Sequence, residues 1–473
     1  MLRTASAFLL FVLFAATAVS PGSAASAGRI ALQTCTLPDA SRPGRCGTLT
    51  VPEDPTRPSG RRIDIAVAVL PARSGRALPD PVVILLGGPG ESAIDAAGIH
   101  ERWLDPLLGD HDLVLVDQRG AGRSHPLACD MTPGGDDRAL LTDIFPPAAV
   151  AACAKTLRQR TDLTRYGYAD FARDLEQVRR GLGYGRLNLF AGSYGTRALQ
   201  VFLRAYPASV RTAYFSSVVP IDIVAPQTMA ATAAKQLDRM FESCAADAAC
   251  REQHPELRAH FAALLDRLER GAVRVALPGQ PGIHTMRRGP VAAWIRSRLY
   301  RPSSAAALPA AIDRAYAGDW QPIVAGIRAS AHPDLSFGLL FAITCNEDMR
   351  FWRPVASARP VGFLGDFRVD QQRAACRFWP GSKLPDGYRT PIRSVVPALF
   401  STGQDDGGTP VWFTDHAARG FSHAAIIVTP MQGHTEWNAC IAARYFALVR
   451  EARIRGPRRQ LCTAAPRPAF AID

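Results

Sequence analysis

Lysine is nearly missing from this chain. Lys155, Lys235 and Lys383 are its only lysines, so the formal charge of +13 rests on arginine. The arginines are scattered, gathering only into short clusters such as Arg455 to Arg459. Without a basic stripe or an accompanying aromatic module, a nucleic-acid partner is not expected, and the charge reads as a solvated, Arg-rich surface. Internal repeats and long polar low-complexity segments are also absent, which excludes a solenoid and an extended disordered chain. Past the N-terminal region no apolar run is long enough to cross a membrane. There is no G-x-G-x-x-G turn for a dinucleotide and no Lys-Ser/Thr of a phosphate-binding P-loop. No CxxC pair or close Cys/His set suggests a metal site. No cofactor is therefore expected.

What is present is enough for a large core: 473 residues, 47% hydrophobic and 21% charged. The N-terminus, MLRTASAFLLFVLFAATAVSPGSAASA, reads as a signal peptide over residues 1–27. Arg3 supplies the positive start, Ala7 to Val19 the apolar stretch, and Ala25-Ser26-Ala27 a small-residue cleavage site. An uncleaved N-terminal anchor is the alternative. Export to the periplasm or the medium makes the ten cysteines readable as disulfides, with zinc as the runner-up. They fall into neighbouring pairs: Cys35 with Cys46, Cys129 with Cys153, Cys244 with Cys250, Cys345 with Cys376, and Cys440 with Cys462.

Along the chain, CGTLTVPEDPTRPSGRRIDIAVAVLPA predicts two strands around a Pro-rich turn. PVVILL (81–86), DLVLVD (112–117), RLNLFA (186–191) and RTAYFSSVV (211–219) are continuous apolar runs, the pattern of strands buried on both faces. Helical spacing over 168–182 and 194–206 falls between and after them. Strands alternating with helices predict a mostly parallel α/β sheet flanked by helices. The character changes near Pro220, and residues 221–390 read as mainly helical. Alternation then resumes with VPALFSTG (396–403), a helix near 411–419, HAAIIVTP (423–430) and a helix from Cys440 to Arg450. The expected organisation is thus an α/β core over 28–220 and 391–473, interrupted by a helical cap over 221–390. Such a cap would lie over the carboxyl edge of the sheet, where open α/β sheets bind ligands.

Ser193 lies in LFAGSYGT, directly after an apolar strand and at the start of a helix. A nucleophilic serine on a sharp strand-to-helix turn needs small neighbours, because the two backbones pass close together. Ala191 stands where the usual G-x-S-x-G pattern has its first glycine, while Gly192 and Gly195 remain. α/β-Hydrolases order their triad serine, acid, histidine. STGQDDGGTP offers Asp405 or Asp406 after one late apolar run, and MQGHTEW offers His434 after the last. The histidine would take the serine's proton and the aspartate would hold the imidazole. For the oxyanion, Tyr194 offers the N–H after the nucleophile, and LLGGPGES offers Gly88, or alternatively Gly87.

GGPGES, DQRGAGRS (117–124), AGSYGT, GQDDGGTP and QGHTEW, in this order, resemble the prolyl/tripeptidyl aminopeptidase family of α/β-hydrolases. CGTLTVPEDP and AITCNED (342–348) resemble the exported branch of that family. The resemblance is weakest over about 225–335. It implies an α/β-hydrolase fold and a serine exopeptidase releasing residues from peptides with free N-termini. It implies Asp406, by the pattern G-x-x-D-x-x-T-P, as the acid beside Ser193 and His434. It also points to Glu347 and Asp348, in TCNED, as the anions that would meet the substrate ammonium. Ala191 and Glu91 are its two departures. A carboxylesterase with the same triad is the competing expectation. A non-catalytic binding protein fits less well, because all three triad positions are filled.

Overall fold

The computed structural model describes residues 29–331, 335–354 and 362–471; the expected signal peptide lies outside them. Among these residues ten strands form one sheet. They are β1 (Gln33–Cys35), β2 (Gly44–Pro52), β3 (Arg62–Leu70), β4 (Val82–Leu85), β5 (Leu113–Val116), β6 (Leu187–Gly192), β7 (Val210–Ser216), β10 (Ala398–Gly403), β11 (Ala424–Thr429) and β12 (Arg459–Leu461). A separate hairpin pairs β8 (Arg274–Ala276) with β9 (Ile283–Thr285). The sheet order is β1-β2-β3-β5-β4-β6-β7-β10-β11-β12. From β5 through β12 every pairing is parallel, while β1, β2 and β3 join antiparallel at one edge.

The strands that carry the centre are apolar on both faces because helices cover both. β4, β5, β10 and β11 are buried at every position. Side chains of the central strands, β6 included, alternate between two hydrophobic clusters. Val83, Val114 and Leu189 face one, and Ile84, Leu115 and Phe190 face the other. The helices Tyr168–Gly181 and Gly195–Ala205 pack on the first side. Ala439–Glu451 packs on the second, with Tyr445 against Phe190 and Tyr214.

Between β7 and β10 the chain is mainly helical, from Ala225–Ala246 to Phe367–Cys376. These helices have a hydrophobic cluster of their own, built on residues such as Leu237, Phe261, Ile295 and Ile323 and joined by Leu140 and Leu141. Five disulfides are formed, in the neighbour order 35–46, 129–153, 244–250, 345–376 and 440–462. Among the described residues no helix is long and apolar enough to cross a membrane.

Candidate active site

β6 runs into the helix Gly195–Ala205 with Ser193 and Tyr194 as the whole of the connection. Ser193 has φ +51°, in the left-handed region that side-chain-bearing residues rarely adopt. The turn is held by the N–H of Ser193 on Ser216 O (3.0 Å) and by the Thr196 N–H on Ser193 O (3.0 Å). Gly195 is the glycine that this turn requires: a Cβ there would lie 2.2 Å from Leu85 O. Ala191 is still strand. It pairs with Leu85 and Phe215 in regular register, and its methyl is fully buried in the core. The missing glycine at 191 therefore costs the turn nothing.

His434, in the loop after β11, places Nε2 2.9 Å from Ser193 Oγ. Its Nδ1 lies 2.9 Å from Asp406 Oδ2 and 3.0 Å from Oδ1. Asp406 follows β10 and is fully buried. Its carboxylate accepts from the N–H groups of Gly408 and Thr409 (2.7 Å each) and from the hydroxyls of Thr409 and Ser217 (2.8 Å each). Burial would raise this carboxyl, but His434, Thr409 and Ser217 outweigh it and hold the group below the usual carboxylate range. The neighbouring Asp405 turns away, pairing with Arg239 at 2.7 Å. The helical insertion reaches the same loop: Tyr300 O accepts the His434 N–H at 2.8 Å, and the Tyr300 ring stands edge-on to the imidazole at 5.0 Å.

Two cavities meet at Ser193 and His434. The larger, about 630 Å³, includes Gly87, Gly88, Glu91, Trp103, Arg301 and Trp437 in its wall. The smaller, about 160 Å³, runs under the insertion past Gly88, Tyr194, Arg296, Tyr300 and Arg368. Gly88 has φ +98°, which glycine adopts freely. Gly87 lies against the turn itself, where a Cβ would sit 2.8 Å from Ser193 Cβ. A further cavity of about 300 Å³, lined by Met240, Asp405 and Phe470 among others, has neither Ser193 nor His434 in its wall.

The two acids of TCNED do not line either of these two cavities. Asp348 is fully buried and paired with Arg197 at 2.9 Å; it also accepts from the Ala225 N–H (3.1 Å) and the Tyr194 hydroxyl (3.3 Å). Glu347 is buried behind it, accepting from the Tyr168 N–H (2.9 Å) and the Tyr388 hydroxyl (2.5 Å). Burial pushes its carboxyl up to about 7, against the pull of Tyr388, Tyr168 and Arg197. The expectation that this pair meets an ammonium is corrected accordingly: both are inward-facing and already partnered. Among the described residues the one carboxylate in the wall of either cavity at Ser193 is Glu91. It is exposed to the larger cavity, and its surroundings raise its carboxyl through desolvation, against His434, Gly87 and Arg301. In the sequence Glu91 is marked only as a departure from a glycine-rich pattern, and Ser217 only by its place one residue past β7.

Among the described residues no group of three His, Cys, Asp or Glu side chains could hold a metal ion. The arrangement of Ser193, His434 and Asp406 is suited to nucleophilic chemistry by Ser193.

A family model described as alpha/beta hydrolase fold matches residues 80–329, more than half of the chain, and one described as TAP-like protein matches residues 360–457. The chain is 31% identical over 179 residues to serine protease Hip1 of Mycobacterium tuberculosis, covering 35% of this chain and 34% of that protein. It is 28% identical over 188 residues to the putative hydrolase YuaR of Escherichia coli, covering 37% and 36%. It is 30% identical over 199 residues to tripeptidyl aminopeptidase of Streptomyces lividans, covering 38% and 36%. These matches span about a third of the length of the curated relatives.

Proposed function

The chain belongs to the α/β-hydrolase fold family, and on that premise we propose that it is an exported serine exopeptidase that releases residues from peptides with free N-termini. The observation that carries this reading is the unbroken line Ser193–His434–Asp406, with each contact at hydrogen-bond length. The peptidase and aminopeptidase names among its relatives support the substrate class. The N-terminal leader pattern and five disulfides support export.

Ser193 Oγ attacks the scissile carbonyl as its proton passes to His434 Nε2. Asp406 keeps the imidazole in the tautomer that can accept that proton and stabilises the imidazolium that forms. The N–H groups of Gly88 and Tyr194 receive the oxyanion. The imidazolium then gives its proton to the leaving amine, and an acyl-enzyme ester remains on Ser193. Water, deprotonated by His434, attacks that ester and releases the N-terminal product. Glu91 is the carboxylate offered to the substrate ammonium, from the wall of the larger cavity. In this reading the segments 28–220 and 391–473 supply the chemistry and 221–390 supplies the roof of the substrate site.

A carboxylesterase is the competing reading, favoured by the scarcity of acids that could meet an ammonium at Ser193: among the described residues, one carboxylate in two cavities. The test compares chromogenic peptides of one to three residues, with free or acetylated N-termini, against a neutral p-nitrophenyl ester. Free-amine peptides are expected to be cut and acetylated ones spared. Ser193→Ala is expected to abolish both hydrolysis and fluorophosphonate labelling. Cleavage of the ester with both kinds of peptide spared would replace the exopeptidase reading with the esterase one, equal cleavage of free and acetylated peptides would remove the requirement for a free N-terminus, and labelling that survives Ser193→Ala would remove both readings.

A further inference from the structure

The smaller cavity beside Ser193 is walled by two arginines from separate helices of the insertion, Arg296 and Arg368. Arg296 is only 8% exposed. Among the described residues its side chain makes one hydrogen bond, to the Tyr300 hydroxyl at 2.6 Å, and its Nε is buried with no partner. Arg368 is half-buried; it bonds Gln372 Oε1 at 3.2 Å, and its Nε atom is buried and unpartnered. Neither guanidinium has a carboxylate within salt-bridge distance among the described residues. This sets them apart from the buried Arg119 and Arg197, which pair with Asp174 and Asp348. Among the described residues the one acid in the cavity on their far side is Asp143, which is bonded by Gln371 instead.

An arginine cannot shed its charge to escape burial, and an unpaired buried charge is costly. Two of them in one wall add mutual repulsion. Burial pushes Arg368 down to about 10, and the charge of Arg296 pushes the same way. Aromatic faces hold the two planes in place: Arg368 lies over Phe145 at 4.8 Å and Arg296 over Tyr300 at 5.0 Å. Such stacking orients a guanidinium edge without neutralising it. Both guanidinium groups line two cavities, one that opens at Ser193 and one that holds Asp143.

We infer that Arg296 and Arg368 form a carboxylate-binding subsite that selects substrates bearing a negative charge beside the scissile bond. The inference rests on Ser193 being the nucleophile of the proposed exopeptidase. The carboxylate belongs either to an Asp or Glu side chain flanking the scissile bond or to the free C-terminus of a short peptide. Paired N–H donors suit either, because a guanidinium meets a carboxylate edge-on through two parallel bonds. The subsite also has a route to the base: Tyr300, which touches Arg296, stands against the His434 ring.

The experiment uses the folded mature chain and matched peptides that differ only in Glu against Gln flanking the scissile bond, or in a free against an amidated C-terminus. The carboxylate member of one pair is expected to show a kcat/KM at least about tenfold higher, carried mainly by KM. Which pair shows it identifies the source. The ratio is expected to fall towards one in Arg368→Gln and in Arg296→Gln, and to be partly restored in Arg368→Lys. Absence of preference in the wild-type protein for either pair would overturn the proposal. A preference that survives both Gln substitutions would do the same. If neither peptides nor esters are cut, the exopeptidase reading has failed by itself. Calorimetric titration with glutarate then decides the subsite: binding weakened at least about tenfold by Arg368→Gln sustains it, and no binding to the wild-type protein overturns it. Should the Gln variants not fold, the wild-type peptide ratios and Arg368→Lys carry the test alone.

Discussion

Ser217 donates its hydroxyl to Asp406 at 2.8 Å while accepting the backbone N–H of Thr435 at 2.9 Å. A residue just past β7 thus joins Asp406 to the loop that carries His434. Ser217 itself has φ +54°, so the backbone is bent into an unfavourable conformation to make the join.

Replacing Ser217 by alanine is expected to lower kcat about tenfold, equivalent to about 1.4 kcal/mol of lost positioning, with little change in KM. The bond removed is one to a buried charge, so stability is expected to fall by about 1–3 kcal/mol as well. Steady-state kinetics and urea denaturation on the same preparation separate the two effects. An unchanged kcat would mean that Thr409 and the two backbone N–H groups suffice to hold Asp406.

Ala191→Gly is expected to leave kcat/KM within about twofold of the wild-type value and to cost about 0.5–1 kcal/mol of stability, the usual penalty of a strand glycine. The side chain at 191 belongs to the sheet core rather than to the turn. A large gain in activity would show instead that the alanine impairs the turn.

Asp348→Asn is expected to destabilise the fold by about 3–5 kcal/mol, because it leaves Arg197 buried without its counter-charge. The denaturation midpoint reads this directly. At temperatures where the variant remains folded, any loss of activity should be equal for free-amine peptides and for a neutral ester. A selective loss on free-amine peptides would return Asp348 to the role of ammonium partner.

Glu347 gives stability a pH dependence of definite sign. Its carboxyl is raised to about 7 in the folded chain, from an ordinary 4.5. Between those values the folded state keeps a proton that the unfolded chain has released. Its contribution is therefore complete below pH about 4.5 and lost as pH rises through about 7, a change of roughly 3 kcal/mol from this group. Unfolding free energies measured at several pH values between 4 and 8 should show a shallower fall in Glu347→Gln than in the wild-type protein. Equal slopes would mean that Glu347 stays ionised when buried.

The strands were legible because their chemistry is local. PVVILL, DLVLVD, RLNLFA and HAAIIVTP each contain a strand buried throughout or nearly so, and a continuous apolar run has few other uses at that length. β12 was not legible: Arg459–Leu461 lies on the edge and is partly exposed, so nothing apolar marks it. The serine, acid and histidine could be read because each follows a recognisable strand in a fixed order. The acids of TCNED could be identified by type but not by direction. Whether a carboxylate faces a cavity or an arginine depends on residues such as Arg197, about 150 positions away in sequence. The same limit hid Arg296 and Arg368, which two different helices bring to one wall.

The five disulfides carry one more consequence, which concerns the order of events. Each closes a stretch of no more than 31 residues, and none bridges the sheet to the helical insertion. Every bridge can therefore be completed by a segment that has met only its own neighbours. Oxidation need not wait for β10 to find β7 across the whole insertion, and it does not commit the chain to that pairing. Covalent chemistry secures the pieces, while the meeting of Ser193, Asp406 and His434 is left to the reversible hydrogen bonds of the sheet.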